Sequence, residues 1–274
     1  MRVFGVLIVV LGVAGATVSA QSFAAFAFKP SAEFVVPAFG DDEIAGLIGT
    51  LDRMLAAESR AEKWTDTATD ALRQFARRLQ TGSLSATQEQ GVLAHLDQIA
   101  ASRPEAQTVV AGPRRMIRDL TVGKTAPDIV GADLDGRPMR LGDYRDKVVV
   151  LTFSADWCGI CRAQAPYERF LLDRYDKWPF ALLGVQTGSS REAARLAQSA
   201  GPLSHRSWWD APGAGEASGP IADAWNVIGW PATYVIDGDG VIRFVDLRDE
   251  DLLKAVRQLV DAQVDRDAKA KRPK

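Results

Sequence analysis

Residues 147–161 read KVVVLTFSADWCGIC and combine the two strongest signals in the chain. The apolar, β-branched run over 147–153 is typical of a strand that is buried on both faces. Cys158 and Cys161 follow at once, where the strand gives way to a predicted helix over about 159–176. The sequence therefore predicts an α/β region with a cysteine pair at the start of a helix.

The position of the pair indicates redox chemistry. A helix N-terminus offers free N–H groups and the positive end of a dipole, which stabilise a thiolate. The pKa of a cysteine there can fall from about 8.5 to roughly 3.5–7.5. We predict that Cys158 is the exposed nucleophile and that Cys161 is the more buried, resolving thiol. Their Cα atoms are then expected to lie within about 7 Å of each other.

Four other interpretations of the pair remain open at this point. A zinc site needs two more ligands, and only His95 and His205 are available, in separate regions. A purely structural disulfide would close a very small loop and add little stability. A copper-delivery protein predicts a longer gap between the cysteines and a suitably placed histidine, and an inactive pair is the fourth. Redox exchange is preferred, without a metal site.

Strands and helices alternate on the carboxyl side of the pair. Strands are predicted over 180–185, 232–236 and 241–245, with Asp237-Gly238-Asp239-Gly240 as a hairpin turn. Helices are predicted over about 190–200, near Ile221–Trp225, and over about 249–264. The predicted fold class is α/β, a central mixed β-sheet flanked by helices.

The region before Val122 reads as helices only. Apolar residues recur at three- and four-residue spacing within about 41–55, 63–80 and 85–99, and Pro104 opens a weaker segment that ends near Asp119. Ser85-Ala86-Thr87-Gln88 fits a capping box. Short connections between such helices predict a small all-α bundle ahead of the α/β region.

The N-terminus predicts export. Arg2 precedes an apolar run over 3–14, and small residues lead to Ala20, as in a secretory signal peptide. Cleavage after Ala20 would leave Gln21 first, whereas an uncleaved segment would anchor the chain in the membrane. Both interpretations place the rest of the chain in the periplasm or cell envelope.

Composition narrows the classes of function. Lys and Arg total 33 against 35 Asp and Glu, a formal net charge of −2 in 274 residues, so no nucleic-acid partner is indicated.

The predicted organisation is a signal peptide or membrane anchor over 1–20, a linker over 21–40, a helical domain over 41–120, an α/β domain over 121–264 and a disordered basic tail over 265–274.

Three motifs carry a family resemblance. They are Val122–Asp128, Trp157–Arg162 with Pro166 beyond it, and Gly229–Asp237. Residues 122–262 resemble a thioredoxin-fold domain of the TlpA/ResA type, the exported, thioredoxin-like disulfide reductases related to the AhpC/TSA peroxiredoxins. The Pro-x-x-x-Thr-x-x-Cys motif of a peroxiredoxin is absent from the sequence.

The resemblance implies roles for named residues. Pro166 is expected to kink the active-site helix, and Pro231 to follow a cis peptide bond and pack against the cysteine pair. The candidate substrate-binding residues are Trp157, Gly159, Ile160, Trp230 and Pro231. The implied cofactor is none beyond a redox-active Cys158–Cys161 disulfide. The implied partners are protein disulfides or dithiols and a thiol electron donor.

Three positions depart from the family pattern. Ile160 replaces a common proline, Thr152 stands where thioredoxin has a buried Asp, and Gln164 stands where ResA-like proteins have a Glu. Either acid could accept the proton of the resolving thiol. In this sequence the proton must pass instead to another group, such as Asp156, Glu168 or water, or exchange is slow. A Glu placed at 164 is expected to lie near enough to accept it.

Two further expectations concern His205 and the pair Trp208 and Trp209. His205 is predicted to lie at the surface, and Trp208 and Trp209 to pack under the long loop over 211–220 rather than to border a groove. The alternative to an oxidoreductase is a non-catalytic binding or assembly protein that contacts its partners through the helical domain.

Overall fold

The computed structural model of the chain describes residues 36–57, 64–102, 104–200, 205–213 and 218–270. The predicted signal peptide or anchor over 1–20 lies outside the described residues, as do 21–35 of the predicted linker and 271–274 of the predicted tail. Among the residues that are described, no helix is both long enough and apolar enough to cross a membrane.

The amino-terminal region is helical, as the sequence predicts. Its helices are α1 (Asp41–Ala57), α2 (Asp66–Gln80), α3 (Ala86–Ser102) and α4 (Pro104–Asp119). The capping box before α3 is confirmed: the backbone N–H of Gln88 donates to Ser85 Oγ (3.2 Å), and that of Ser85 donates to Gln88 Oε1 (2.9 Å).

The carboxyl-terminal region contains the sheets and the helices that cover them. The strands are β1 (Val130–Ala132), β2 (Pro138–Arg140), β3 (Val148–Ala155), β4 (Phe180–Thr187), β5 (Arg206–Trp209), β6 (Ala232–Ile236) and β7 (Ile242–Val245). The helices are α5 (Gly159–Tyr175), α6 (Arg191–Ala200), α7 (Pro220–Ala224) and α8 (Asp249–Ala270), with a 3₁₀ turn at Leu141–Tyr144.

The main sheet is mixed, as predicted, and has the order β5-β4-β3-β6-β7. Strands β3, β4 and β5 run parallel, whereas β6 is antiparallel to β3 and β7 to β6. Strand β3 lies at the centre of the sheet, and its apolar side chains are therefore buried on both faces. Phe153 of β3 pairs with Ala232 of β6, so Pro231 lies beside the end of β3 that leads to the cysteines.

The helical and α/β regions share one continuous hydrophobic core. Across their junction, Gln80 Nε2 donates to the hydroxyl oxygen of Tyr234 (2.8 Å) and to the carbonyl of Leu120 (3.0 Å). Arg77 forms an ion pair with Asp246 at 2.5 Å. The helical region is therefore packed directly against the sheet that carries the cysteine pair.

Two predictions of secondary structure need correction. No strand was predicted at β1, β2 or β5; β1 pairs with β2, and β5 pairs with the edge of β4. The predicted disordered tail is wrong for 265–270, because α8 continues to Ala270. Within this part of the helix, Arg266 forms an ion pair with Asp239 at 2.5 Å and donates a hydrogen bond to Gln263 Oε1.

Candidate active site

Cys158 caps the helix that follows β3. It is the N-cap residue of α5, and its Sγ accepts a hydrogen bond from the backbone N–H of Cys161 at 3.1 Å. The two cysteines form a disulfide with a Cα–Cα distance of 5.3 Å, within the predicted limit. A donor aimed at this sulfur would also stabilise a thiolate on Cys158 once the disulfide is reduced.

The predicted exposure of the two cysteines is wrong for this disulfide form. Cys158 is only 4% exposed, whereas Cys161 is half-buried. The reason is the capping geometry, which folds the Cys158 side chain back over the first turn of α5 instead of out to solvent. Access to the pair therefore runs past the residues that surround it.

Those surrounding residues form an apolar rim, which we define as Trp157, Ile160, Trp230 and Pro231. Trp157 and Ile160 are 58% and 59% exposed, and the rings of Trp157 and Trp230 meet edge to face at 5.4 Å between centroids. The predicted cis bond between Trp230 and Pro231 is confirmed. Gly159, the remaining candidate substrate-binding residue, is also exposed.

Pro166 lies inside α5, as the motif predicts. Proline has no backbone N–H, so the helix lacks one internal hydrogen bond there.

A cavity of about 460 Å³ opens beside Cys161. Cys161 and Pro231 line it together, which agrees with the expectation that this proline packs close to the pair. The other lining residues come from β3, α5, β4, α6 and the start of β5: Thr152, Ser154, Ala155, Asp156, Arg162, Ala165, Glu168, Gln186, Ala197, Gln198 and His205.

Two titratable groups are buried in this cavity. Glu168 is 8% exposed, and burial raises the pKa of its carboxyl to about 7. His205 is 9% exposed, and burial lowers the pKa of its imidazole to about 4. Within the described part of the chain, neither ring nitrogen of His205 has a hydrogen-bond partner. The prediction that His205 lies at the surface is therefore wrong.

His205 and Trp208 are buried by contacts that the local sequence does not encode. Trp208 is fully buried, and its Nε1 donates to the carbonyl of Met139 at 3.1 Å, so it packs under the β1–β2 hairpin. Part of the loop over 211–220 lies outside the described residues, so the predicted packing of Trp208 and Trp209 under it stays a prediction. Trp209 is half-buried at the end of β5.

The two positions at which the family pattern places an acid differ in their surroundings. Thr152 lines the cavity, and its hydroxyl is 3.5 Å from the carbonyl of Leu183. Gln164 instead faces α8, where Nε2 donates to Asp249 Oδ1 (2.9 Å) and Oε1 accepts from the Asp249 N–H (3.3 Å). The native Gln164 side chain is therefore bound to Asp249, and the expectation that a Glu at 164 would accept the proton of Cys161 stays a prediction.

Asp156 is held at the edge of the cavity. Its Oδ2 accepts hydrogen bonds from both the backbone N–H (3.1 Å) and the hydroxyl (2.7 Å) of Ser189. Its backbone carbonyl accepts from Arg162 Nη1 at 3.1 Å. No three His, Cys, Asp or Glu side chains come together as a metal site anywhere in the described ranges.

A mixed sheet with β-α-β and β-β-α halves, carrying a cysteine pair at a helix start beside a cis-proline, defines a thioredoxin-like protein. The model of the AhpC/TSA family matches residues 122–245, which excludes the helical region. Thiol-disulfide oxidoreductase ResA of Geobacillus kaustophilus is 33% identical over 124 residues, 45% of this chain and 68% of that protein. The chain therefore belongs to the ResA-type thiol-disulfide oxidoreductases, and it is an enzyme of that class.

Two further comparisons give similar alignments. The thioredoxin-like protein YneN of Bacillus subtilis is 31% identical over 122 residues, 44% of this chain and 68% of its own length. Among solved structures, the thioredoxin domain of a thiol-disulfide oxidoreductase from Bacteroides vulgatus is 25% identical, with a TM-score of 0.47, and covers 52% of this chain and 99% of that domain.

Proposed function

We propose that this oxidoreductase is exported and that it reduces or exchanges disulfides in proteins of the cell envelope through Cys158 and Cys161. The observation that carries the proposal is the hydrogen bond from the Cys161 N–H to Cys158 Sγ at the start of α5. A sulfur in that position is a good attacking thiolate when reduced and a good leaving group in reverse. The membership in a family of oxidoreductases argues against the non-catalytic alternative.

The reaction transfers two electrons from the enzyme's dithiol to the substrate's disulfide. The Cys158 thiolate attacks a protein disulfide, one substrate thiolate leaves, and a mixed disulfide forms. Cys161 then attacks Cys158 Sγ, so the bond to the substrate breaks and the second substrate thiolate leaves. The substrate is reduced, and the enzyme is oxidised to the Cys158–Cys161 disulfide. An external thiol electron donor restores the dithiol.

The apolar rim is the proposed docking surface for the substrate. Exposed aromatic side chains are favourable at binding sites because they contribute large contact areas at low entropic cost. The rings of Trp157 and Trp230 are in edge-to-face contact, with 5.4 Å between their centroids. An extended segment of substrate could pair with the backbone of Trp230, while Gly159 leaves the approach to Cys158 unobstructed.

Export is proposed from residues 1–20 and has its own test. Expression of the full chain in a bacterial host, followed by cell fractionation and N-terminal sequencing, is expected to place it outside the inner membrane. A mature chain beginning at Gln21 supports cleavage, whereas an intact N-terminus in the membrane fraction supports anchoring. Retention in the cytoplasm would contradict the export proposal in both forms.

The cysteine roles are tested by trapping. A Cys161→Ser variant is expected to accumulate a mixed disulfide with a disulfide-containing protein, because Cys158 can attack but nothing resolves the product. A Cys158→Ser variant is the matched control, and we expect no adduct with it. Trapping through Cys161 instead, or turnover by the Cys158→Ser variant, would refute the assignment.

A further inference from the structure

The resolving thiol needs a group that takes its proton. The thiolate, not the thiol, attacks a disulfide, so Cys161 must lose a proton before or while it attacks Cys158 Sγ. Cys161 lies one turn inside the helix start and faces the cavity. A protein group that accepts this proton can therefore be reached through that cavity.

One face of α5 connects Cys161 with a buried carboxyl group. Cys161, Ala165 and Glu168 follow each other at spacings of four and three residues, and all three line the cavity. Glu168 lies about 10 Å from Cys161 along the helix axis, and side chains on a helix lean towards its N-terminus. Ala165, between them, has too small a side chain to block the space, so one or two water molecules can bridge the two groups.

The opposite wall makes this space suitable for water. His205 presents two ring nitrogens without partners among the described residues, and buried polar groups of this kind are generally satisfied by ordered water. Room for the ring depends on Gly184, where a Cβ would lie 2.9 Å from His205 Nε2. A neutral imidazole supplies one donor and one acceptor to such waters.

We infer that Glu168 is the group that accepts the proton of Cys161 when this thiol resolves the mixed disulfide, and that it returns the proton when the enzyme's disulfide is reduced. The inference rests on the proposed roles of Cys158 and Cys161. In the forward step the S–H bond of Cys161 breaks, its proton passes through water to a Glu168 oxygen, and the new sulfur–sulfur bond forms on Cys158. The leaving substrate thiolate takes a proton from solvent.

The electrostatic surroundings agree with this role. Burial raises the pKa of Glu168 to about 7, so both its protonation states are populated near neutral pH, as an acceptor that is also a donor requires. Three charged or titratable side chains line the cavity with Glu168 and Cys161: Asp156 is bound to Ser189, Arg162 donates to the Asp156 carbonyl, and His205 is neutral above about pH 4. On α8, which packs against α5, Asp249 is bound to Gln164.

The test separates attack from resolution. Reduced protein is mixed with a chromogenic aromatic disulfide in a stopped-flow instrument, and the coloured thiol is released first by Cys158 and then by Cys161. In the parent protein we expect the rate of the second phase to show an inflection near pH 7. In Glu168→Gln we expect this rate to fall about tenfold or more at pH 7, since an unassisted thiol is only about 3% ionised there.

The dependence on pH excludes a merely structural effect. The rates of parent and Glu168→Gln are expected to converge by about pH 9.5, where the thiol ionises unaided. Asp173→Asn, which removes an exposed carboxylate from the same helix, is the matched control, and we expect it to leave both phases unchanged. An unchanged second-phase profile in Glu168→Gln would overturn the inference.

Two further measurements keep the inference testable if Glu168→Gln does not fold. A parent profile without an inflection between about pH 6 and 8 would overturn it directly. Ala165→Leu fills the space between the two groups, and we expect it to slow the second phase but not the first; an unchanged second phase would also count against the route. A second phase that persists in Cys161→Ser would instead refute the proposed function itself.

Discussion

Glu168 and His205 are expected to give the stability of this protein two opposing dependences on pH. In the folded protein, burial raises the pKa of Glu168 from 4.5 to about 7 and lowers the pKa of His205 from 6.5 to about 4. Between pH 4.5 and 7 the folded state holds a proton on Glu168 that the unfolded state has lost. The free energy of unfolding therefore falls as the pH rises through that window.

His205 acts in the other direction. Between pH 4 and 6.5 the unfolded state binds a proton on His205 that the folded state excludes, so the free energy of unfolding rises with pH. One pKa unit corresponds to about 1.4 kcal/mol, so each group contributes about 3 kcal/mol over its window. The two slopes nearly cancel in the parent protein, and we expect its stability to change little with these groups between pH 4.5 and 6.5.

Single substitutions separate the contributions of Glu168 and His205 to the pH dependence of the free energy of unfolding. We expect the stability of Glu168→Gln to rise, relative to the parent, by about 3 kcal/mol as the pH increases from 4.5 to 7, because only the His205 slope remains. We expect His205→Gln to lose about 3 kcal/mol, relative to the parent, as the pH increases from 4 to 6.5. In the double variant we expect the two differences in stability, each relative to the parent, to add.

The assay is denaturant unfolding of the oxidised proteins at intervals between about pH 4 and 8, with the free energy extrapolated to water. Titrations elsewhere in the chain are common to all four proteins and cancel in the differences. Curves for the single variants that run parallel to the parent would refute the reasoning. They would mean that neither group is desolvated in the folded protein.

Three further predictions concern the surroundings of the site. Gln164→Glu is expected to lower the free energy of unfolding by about 1–3 kcal/mol, because it places a second carboxylate against Asp249; Asp249→Asn in the same chain is expected to restore most of the loss in urea unfolding. Gly184→Ala is expected to lower the melting temperature, because its Cβ would lie 2.3 Å from Ser207 Oγ; an unchanged value would show that β5 adjusts freely. Trp157→Ala is expected to raise KM for a protein disulfide severalfold while leaving the rate with a small aromatic disulfide unchanged; equal effects on both would contradict a docking role.

Strong local patterns made much of the fold predictable. The continuous apolar run of β3 indicated the central strand, and the capping box at Ser85 fixed the start of α3. Helix α4 begins and ends at Pro104 and Asp119, as its pattern indicates. In each case the information lies within a few consecutive residues.

The cavity was not predictable in the same way, because tertiary contacts build it. Strand β5 has only four residues, and its burial depends on the β1–β2 hairpin, which is distant in sequence: Arg206 pairs with Asp133 at 2.8 Å, and Trp208 bonds to Met139. His205 is carried inside with that strand. Its sequence neighbours, a glycine- and proline-containing segment, gave no sign of burial.

The candidate proton acceptors were distinguished only by the structure. The sequence named Asp156, Glu168 and water without a way to choose among them. The two carboxyl groups differ in their surroundings. Asp156 accepts a hydrogen bond from Ser189, whereas Glu168 is buried beside the cavity. The contact of Gln164 with Asp249 was not predicted, because helical spacing alone does not show that α8 approaches this side of α5.

The central claim is that Cys158 is the activated nucleophile, and the pH dependence of its alkylation tests this most directly. The reduced protein is treated with iodoacetamide across about pH 4–10, and mass spectrometry measures modification of each cysteine. We expect Cys158 to be modified first, with a pKa below about 7.5, and Cys161 to react much more slowly. Faster modification of Cys161, or two cysteines that both titrate near the ordinary value of about 8.5, would contradict the account.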